Sequence, residues 1–303
     1  MNRHVAVVMG GPSAEREVSL TTGREVALAL EGRGYRVSRV DAAKDLAERL
    51  RELEPDVVFN ALHGRYGEDG TVQGLLEIMG LPYTHSGVLA SALAIDKPMA
   101  IRLFRSVGLQ CPEGVVTTPQ AVLAGGVMPV PYVVKPTAEG SSVGVFIIKE
   151  EADLDRIRQL NRWAFGERVL VERYIAGREL TVVILDDKPL AVTEIRPYEG
   201  FYDYRAKYTD NQAEHVIPAS LPEPVYEAAM DMALRAHAVL GCRDLTRADL
   251  RYDDSGDPSG LFLLEVNTQP GMTPLSLAPE QAAYAGIGFG ELVGHLVEAA
   301  WRR

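Results

Sequence analysis

Short apolar runs alternate with amphipathic stretches along the first hundred residues. Residues 5–9 (Val-Ala-Val-Val-Met) form a buried-strand run that stops at Gly10-Gly11-Pro12. Residues 22–31 read as a helix ending near Gly34, residues 35–40 as the next strand, and residues 44–53 as a helix with Leu46, Leu50 and Leu53 at helical spacing. A third strand over 56–60 leads into a loop with Gly64, Gly67 and Gly70, followed by a helix over 71–79 with Gly80 at its end. This strand–helix order predicts a doubly wound parallel sheet. Ligands on such sheets lie at the carboxyl ends of the strands, here the loops 10–17 and 63–70.

From about residue 97 the rhythm changes. A helix over 98–107 is followed by hairpin-like strands at 132–136, 145–148, 169–175, 179–185 and 190–195, interrupted by a helix at 151–160. A polar, aromatic stretch at 196–212 precedes a long helix over 222–240, closed by Gly241. Strands 245–252 and 261–267 flank an Asp/Ser/Gly/Pro turn, and a helix near 289–300 ends the pattern. The fold class is therefore α/β, passing to α+β in the C-terminal part. Neither an internal repeat nor a long linker is visible, so the domains are expected to pack closely, with ligands in the crevices between them.

At 303 residues the chain has room for two or three domains and needs no disulfide or metal to fold. Hydrophobic content of 47% with 24% charged residues excludes a wholly disordered or collagen-like chain. Apolar runs fall short of the ~18 residues of a membrane span, and the first one is too short for an export signal. Cys111 and Cys242 have no metal-type spacing and read as reduced thiols, so a cytoplasmic location is expected. A net charge of −11 argues against a nucleic-acid surface. Any anion site must concentrate its positive charge locally.

The cations are 25 Arg and only six Lys. Lys44, Lys149 and Lys188 sit beside acidic or turn residues and carry no message, whereas Lys97, Lys135 and Lys207 fall inside motifs. A compact ammonium is not replaceable by a planar guanidinium where geometry is tight. Lys135 ends a strand and is followed by Gly140-Ser141-Ser142-Val143-Gly144 and then a second strand. Small residues let backbone N–H groups approach phosphate oxygens while one ammonium supplies countercharge. The same stretch matches G-x-S-x-G, but a nucleophile elbow needs a strand-to-helix turn, and residues 145–148 are strand-like.

Arg247, Asp249 and Arg251 share one face of their strand, as do Glu265 and Asn267 on theirs. If Asp249 stands opposite Glu265, Arg247 stands opposite Asn267, and two carboxylates and an amide oxygen converge beside a guanidinium. Hard oxygen donors without His or Cys favour Mg²⁺. A surface salt-bridge ladder is the plainer alternative, but Leu261 to Leu264 and Val266 make the second strand look central, where unpaired charges are costly; a one-residue slip in register dissolves the cluster. Tyr198, Phe201, Tyr202, Tyr204 and Tyr208 cannot build a strand core. They fit a lid over a site or an anchored surface loop equally well. Glu15 could face the first crevice, where His63 is a second candidate; Glu17 reads as a helix-terminal charge.

Together these motifs resemble the D-alanine–D-alanine ligase family of the ATP-grasp superfamily: Gly10-Gly11 with Ser13 and Glu15, Leu62-His63-Gly64, Gly67-Glu68-Asp69-Gly70, Asp96-Lys97, Lys135-Pro136 with Glu139 to Gly144, Tyr202 to Tyr208, Arg247 with Asp249, and Glu265 to Thr273. The resemblance implies three domains, 1–96, 97–178 and 179–303, with a mobile loop at 197–212. It implies ATP held by Lys97 and Lys135, its adenine at Glu172 and Tyr174 and its ribose at Glu179. Two Mg²⁺ ions, with Mn²⁺ as a substitute, would sit on Asp249, Glu265 and Asn267. Glu15, Ser141 and Tyr208 would hold the first D-alanine, with His63 beside them. Lys207 and Ser276 would hold the second, and Arg247 with the Gly271 N–H would face the oxyanion. The product would be the dipeptide for peptidoglycan synthesis, made in the cytoplasm by a homodimer with neither nucleic-acid nor membrane partners. Arg205 stands where the family often has an acid.

Overall fold

The computed structural model describes residues 3–138, 140, 144–159, 166–198, 213–255, 260–274 and 276–303. Among the described residues three sheets follow one another. In the first, β1 (His4–Met9) lies between β2 (Arg36–Asp41) and β3 (Val57–Asn60), parallel to both. All six residues of β1 are buried, as expected for a strand covered on both faces. A four-stranded antiparallel sheet follows in the order β4 (Gly114–Thr117), β7 (Val169–Arg173), β5 (Tyr132–Pro136), β6 (Phe146–Ile148). The third sheet is antiparallel, in the order β10 (Ala213–Val216), β9 (Lys188–Pro197), β8 (Arg178–Leu185), β11 (Leu245–Tyr252), β12 (Leu261–Asn267).

The cores show how these sheets lock together. Leu292, Val293, Leu296 and Val297 of the helix Phe289–Trp301 pack with Val5, Val7 and Phe59, and Val183 and Leu245 of the third sheet join the same cluster. One core thus spans the beginning and the end of the chain. In the second sheet Tyr132, Val134, Val169 and Val171 pack on one face with Leu154 and Ile157. Alternation then sends Lys135, Leu170 and Glu172 to the other face, where Leu170 joins a core with Phe104, Leu180 and Leu250. Lys135 and Glu172 are thereby aimed between the second and third sheets.

The helix expected over 22–31 runs over Arg16–Gly32. Its first turns bury Ser19 and Thr22, so their periodicity is polar and carries no hydrophobic signal. Val88–Ile95 is apolar on every side, and its helical period is hidden for the opposite reason. The strands Gly114–Thr117 and Ala213–Val216 and the helices Pro119–Ala124 and Leu277–Tyr284 are also absent from the sequence reading; all are eight residues or shorter. Among the described residues no helix is long and apolar enough to cross a membrane. Cys111 and Cys242 are unpaired, and burial pushes their thiols up to about 11 and about 12.

His85 is buried with its ring edge-on to Phe59, 5.5 Å away, and burial holds its pKa down to about 3 against an ordinary 6.5. A depressed folded-state pKa means that the unfolded chain binds the extra proton first. Stability from this residue is therefore complete above about pH 6.5 and is lost as pH falls toward 3, at up to about 1.4 kcal/mol per pH unit. His85→Asn is expected to lose stability less steeply than the wild type across that window in chemical denaturation. Equal slopes would contradict the burial of a neutral imidazole.

Candidate active site

β11 and β12 are in the register that brings the oxygen donors together. Arg247 stands opposite Asn267 and Asp249 opposite Glu265, with an irregularity only after Asp249. Arg247 Nε and Nη2 donate to the two oxygens of Asp249, each at 2.7 Å, and Thr181 Oγ1 donates to Asp249 Oδ1 at 3.0 Å. Lys97 lies at the start of the helix Lys97–Ser106 and places its Nζ 3.2 Å from Glu265 Oε2. Gln269 N donates to Asn267 Oδ1 at 2.8 Å, fixing the carboxamide. In the second sheet Lys135 Nζ lies 2.5 Å from Glu172 Oε1. Both partners are almost wholly buried, and Glu172 Oε2 has no hydrogen-bond partner among the described residues. Each site cation named here therefore meets a site carboxylate.

Arg251 organises the junction of β7 and β8. Its guanidinium reaches Glu179 at 3.4 Å, donates to the Ile175 and Gly177 carbonyls, and lies 5.9 Å from the centre of the Tyr174 ring. Glu179 and Tyr174 are thus held by one residue.

The parallel sheet supplies a second group at its strand ends. Glu15 is buried, and its carboxylate is so close to Gly64 that a methyl group there would lie 2.4 Å from Glu15 Oε2. Gly64 also has φ +67, so glycine is required on both counts. A methyl on Gly140 would lie 3.2 Å from Glu15 Oε2 and 3.3 Å from Glu68 Oε2. The two carboxylates therefore converge where the loop after β5 arrives. The His63 imidazole is held between Thr22 Oγ1 at 3.0 Å and Glu68 Oε1 at 3.4 Å. In the sequence Glu68 stands out only as part of Gly67-Glu68-Asp69-Gly70. Its partnership with His63 spans five residues of loop, which no strand or helix period reveals.

Ser276 precedes the helix Leu277–Tyr284; its Oγ is 2.8 Å from Thr273 Oγ1, accepts from Thr273 N at 3.2 Å, and lies against Gly271. Ser141, Lys207 and Tyr208, together with Arg205 and most of the 197–212 loop, lie outside the described residues. The elements on either side of Gly140 and Gly144 are β5 and β6, two strands that pair antiparallel, whereas a nucleophile elbow leads from a strand into a helix, so the hydrolase pattern does not apply.

The family model for the D-ala D-ala ligase C-terminus matches residues 118–298, and that for the N-terminus matches residues 43–86. The chain belongs to the D-alanine–D-alanine ligase family. It is 54% identical to a D-alanine–D-alanine ligase of Methylobacterium radiotolerans, with 99% of each chain covered. It is 56% identical to one from a Caulobacter species, covering all of this chain and 95% of the relative. Among solved structures, the D-alanine–D-alanine ligase of Bacillus anthracis complexed with ATP superposes with a TM-score of 0.82 at 30% identity, over 99% of this chain and 98% of that one. The fold is that of the D-alanine–D-alanine ligases, α/β with one parallel and two antiparallel sheets among the described residues. The protein is an enzyme of this ligase family, with the role in peptidoglycan precursor synthesis that goes with it.

Proposed function

We propose that this chain binds ATP between its second and third sheets and uses it to join two D-alanines, working in the cytoplasm. The observation that carries the reading is the convergence of Asp249, Glu265 and Asn267 of β11 and β12 with Arg247 and Lys97. ATP would exchange its phosphates for the carboxylates on Lys97 and Lys135, and the orphaned Glu172 Oε2 would accept an N–H of adenine. The three sheets support domains at 1–96, 97–178 and 179–303.

The donor set fits Mg²⁺. The ions would be held by two carboxylates, one amide oxygen and the phosphates, as Mg²⁺ prefers. Bound there, two Mg²⁺ ions (or Mn²⁺) would neutralise charge developing on the transferring phosphoryl group. The protein's own part is positioning. Glu15 would take the ammonium of the first D-alanine, with Ser141 and Tyr208 assigned beside it by resemblance, and the His63–Glu68 pair would line the same pocket. A carboxylate oxygen of that substrate attacks the γ-phosphorus, the β–γ bridge breaks, and ADP leaves an acyl phosphate. The second D-alanine, its carboxylate on Lys207 and Ser276, gives up an ammonium proton to solvent, and its amine attacks the acyl carbon. Arg247 and the Gly271 N–H stabilise the resulting oxyanion, and collapse expels phosphate. A homodimer is the assembly we assign.

The test is isotopic. With ¹⁸O in the D-alanine carboxylate, one labelled oxygen per turnover is expected in the released phosphate. Unlabelled phosphate accompanying dipeptide would exclude the acyl phosphate.

A further inference from the structure

We propose that Gln269 is a positioning residue for ligation, fixing the segment 267–271 against the substrate loop 63–70; this rests on the ligase reading above. Gln269 is buried, and it lies between Asn267 and Gly271 in the chain. Its backbone N–H donates to Asn267 Oδ1 at 2.8 Å. Its side chain leaves the third sheet and enters the end of the first. Nε2 donates to the Asn60 carbonyl at 2.5 Å and to His85 Nδ1 at 3.3 Å, while Oε1 accepts from Asn60 Nδ2 at 3.2 Å. Asn60 ends β3 and passes the connection on. Its Nδ2 also donates to the Gly67 carbonyl at 2.9 Å, and its Oδ1 accepts from Leu62 N at 3.1 Å. One carboxamide thus braces both arms of the loop that carries His63 and Glu68.

Both amide protons and the oxygen of Gln269 are used, so its orientation is settled by the network. Because Nε2 must donate, His85 Nδ1 must accept, and the ring proton resides on Nε2. Burial keeps that imidazole neutral, with its pKa near 3. The cost of the arrangement is visible. His85 has φ +69, a backbone region that side-chain-bearing residues avoid, and its Nε2 has no hydrogen-bond partner among the described residues. Local strain of this kind persists where the surroundings over-determine it.

The function of the brace follows from the division of the site. Glu15 and His63 come from the loops of the parallel sheet, whereas Asn267, Gly271 and Arg247 belong to the third sheet and the loop after it. All must meet around one acyl carbon. Apolar packing between the sheets is non-directional, but hydrogen bonds set distance and angle together. A shift of about 1 Å in reacting groups costs on the order of 10²-fold in rate.

Gln269→Met keeps much of the volume and removes the amide. Asn60→Asp keeps the acceptor for Leu62 and removes both donors. Each is expected to lower kcat for dipeptide formation on the order of 10–100-fold, with KM for ATP and for the first D-alanine little changed. The double variant should lose little beyond either single one, because the two residues act as one unit. Hydrogen–deuterium exchange reads the loop without any turnover: residues 267–273 should exchange faster in both variants while the helix Glu223–Leu240 does not. Wild-type kcat with wild-type exchange would overturn the proposal, as would a loss seen only as a raised KM for ATP. Should Gln269→Met fold poorly, Asn60→Asp decides alone by the same readouts. A wild-type enzyme making no dipeptide would instead remove the ligase reading, a separate outcome.

Discussion

Glu265→Gln is expected to lower kcat on the order of 10²–10³-fold, the several kcal/mol that a metal-centred charge contributes to phosphoryl transfer. The substitution conserves volume and one oxygen, so the change is essentially one of charge. In the structure that charge is opposite Asp249 and 3.2 Å from Lys97. Its side chain is a quarter exposed but that of Lys97 is buried, so loss of the pair should also cost stability, which a thermal melt reads separately from kcat. ADP release measured against metal concentration should show reduced kcat even at saturating Mg²⁺. Wild-type kinetics in this variant would detach Glu265 from the site.

Lys135→Met should raise the KM for ATP about 10–100-fold, the worth of a charge-assisted hydrogen bond. It should also destabilise the protein, because Glu172 would be left as an uncompensated buried carboxylate, at about 3–5 kcal/mol. The two consequences separate in the double variant Lys135→Met/Glu172→Gln. Neutralising the stranded carboxylate should recover most of the stability without recovering ATP affinity. Thermal melts and ATP titrations on the single and double variants check this directly. Recovery of affinity along with stability would mean that Lys135 serves the fold alone.

Much of this site was legible because its chemistry sits on regular elements. Arg247, Asp249, Glu265 and Asn267 alternate with apolar residues on two strands joined by a turn, so one register sufficed to place them together, and β11 and β12 adopt it. Lys135 was legible as a rare lysine at a strand end. Glu68 and Gln269 were not, because their partners lie across loops or across sheets: Glu68 meets His63, and Gln269 meets Asn60 more than two hundred positions away. The start of the first helix was hidden for a related reason. Ser19 and Thr22 are buried to serve the strand-end loops, Ser19 Oγ donating to the Ala61 carbonyl and Thr22 contacting His63. Polar groups buried for a site blur the pattern by which a sequence announces a helix.

The most direct measurement is product analysis of the purified enzyme with ATP and D-alanine, with and without Mg²⁺. The account predicts D-alanyl-D-alanine, ADP and phosphate in equal amounts with the metal, and none of the three when it is chelated. ADP release without dipeptide, or dipeptide formed at the same rate in the presence of chelator, would contradict it.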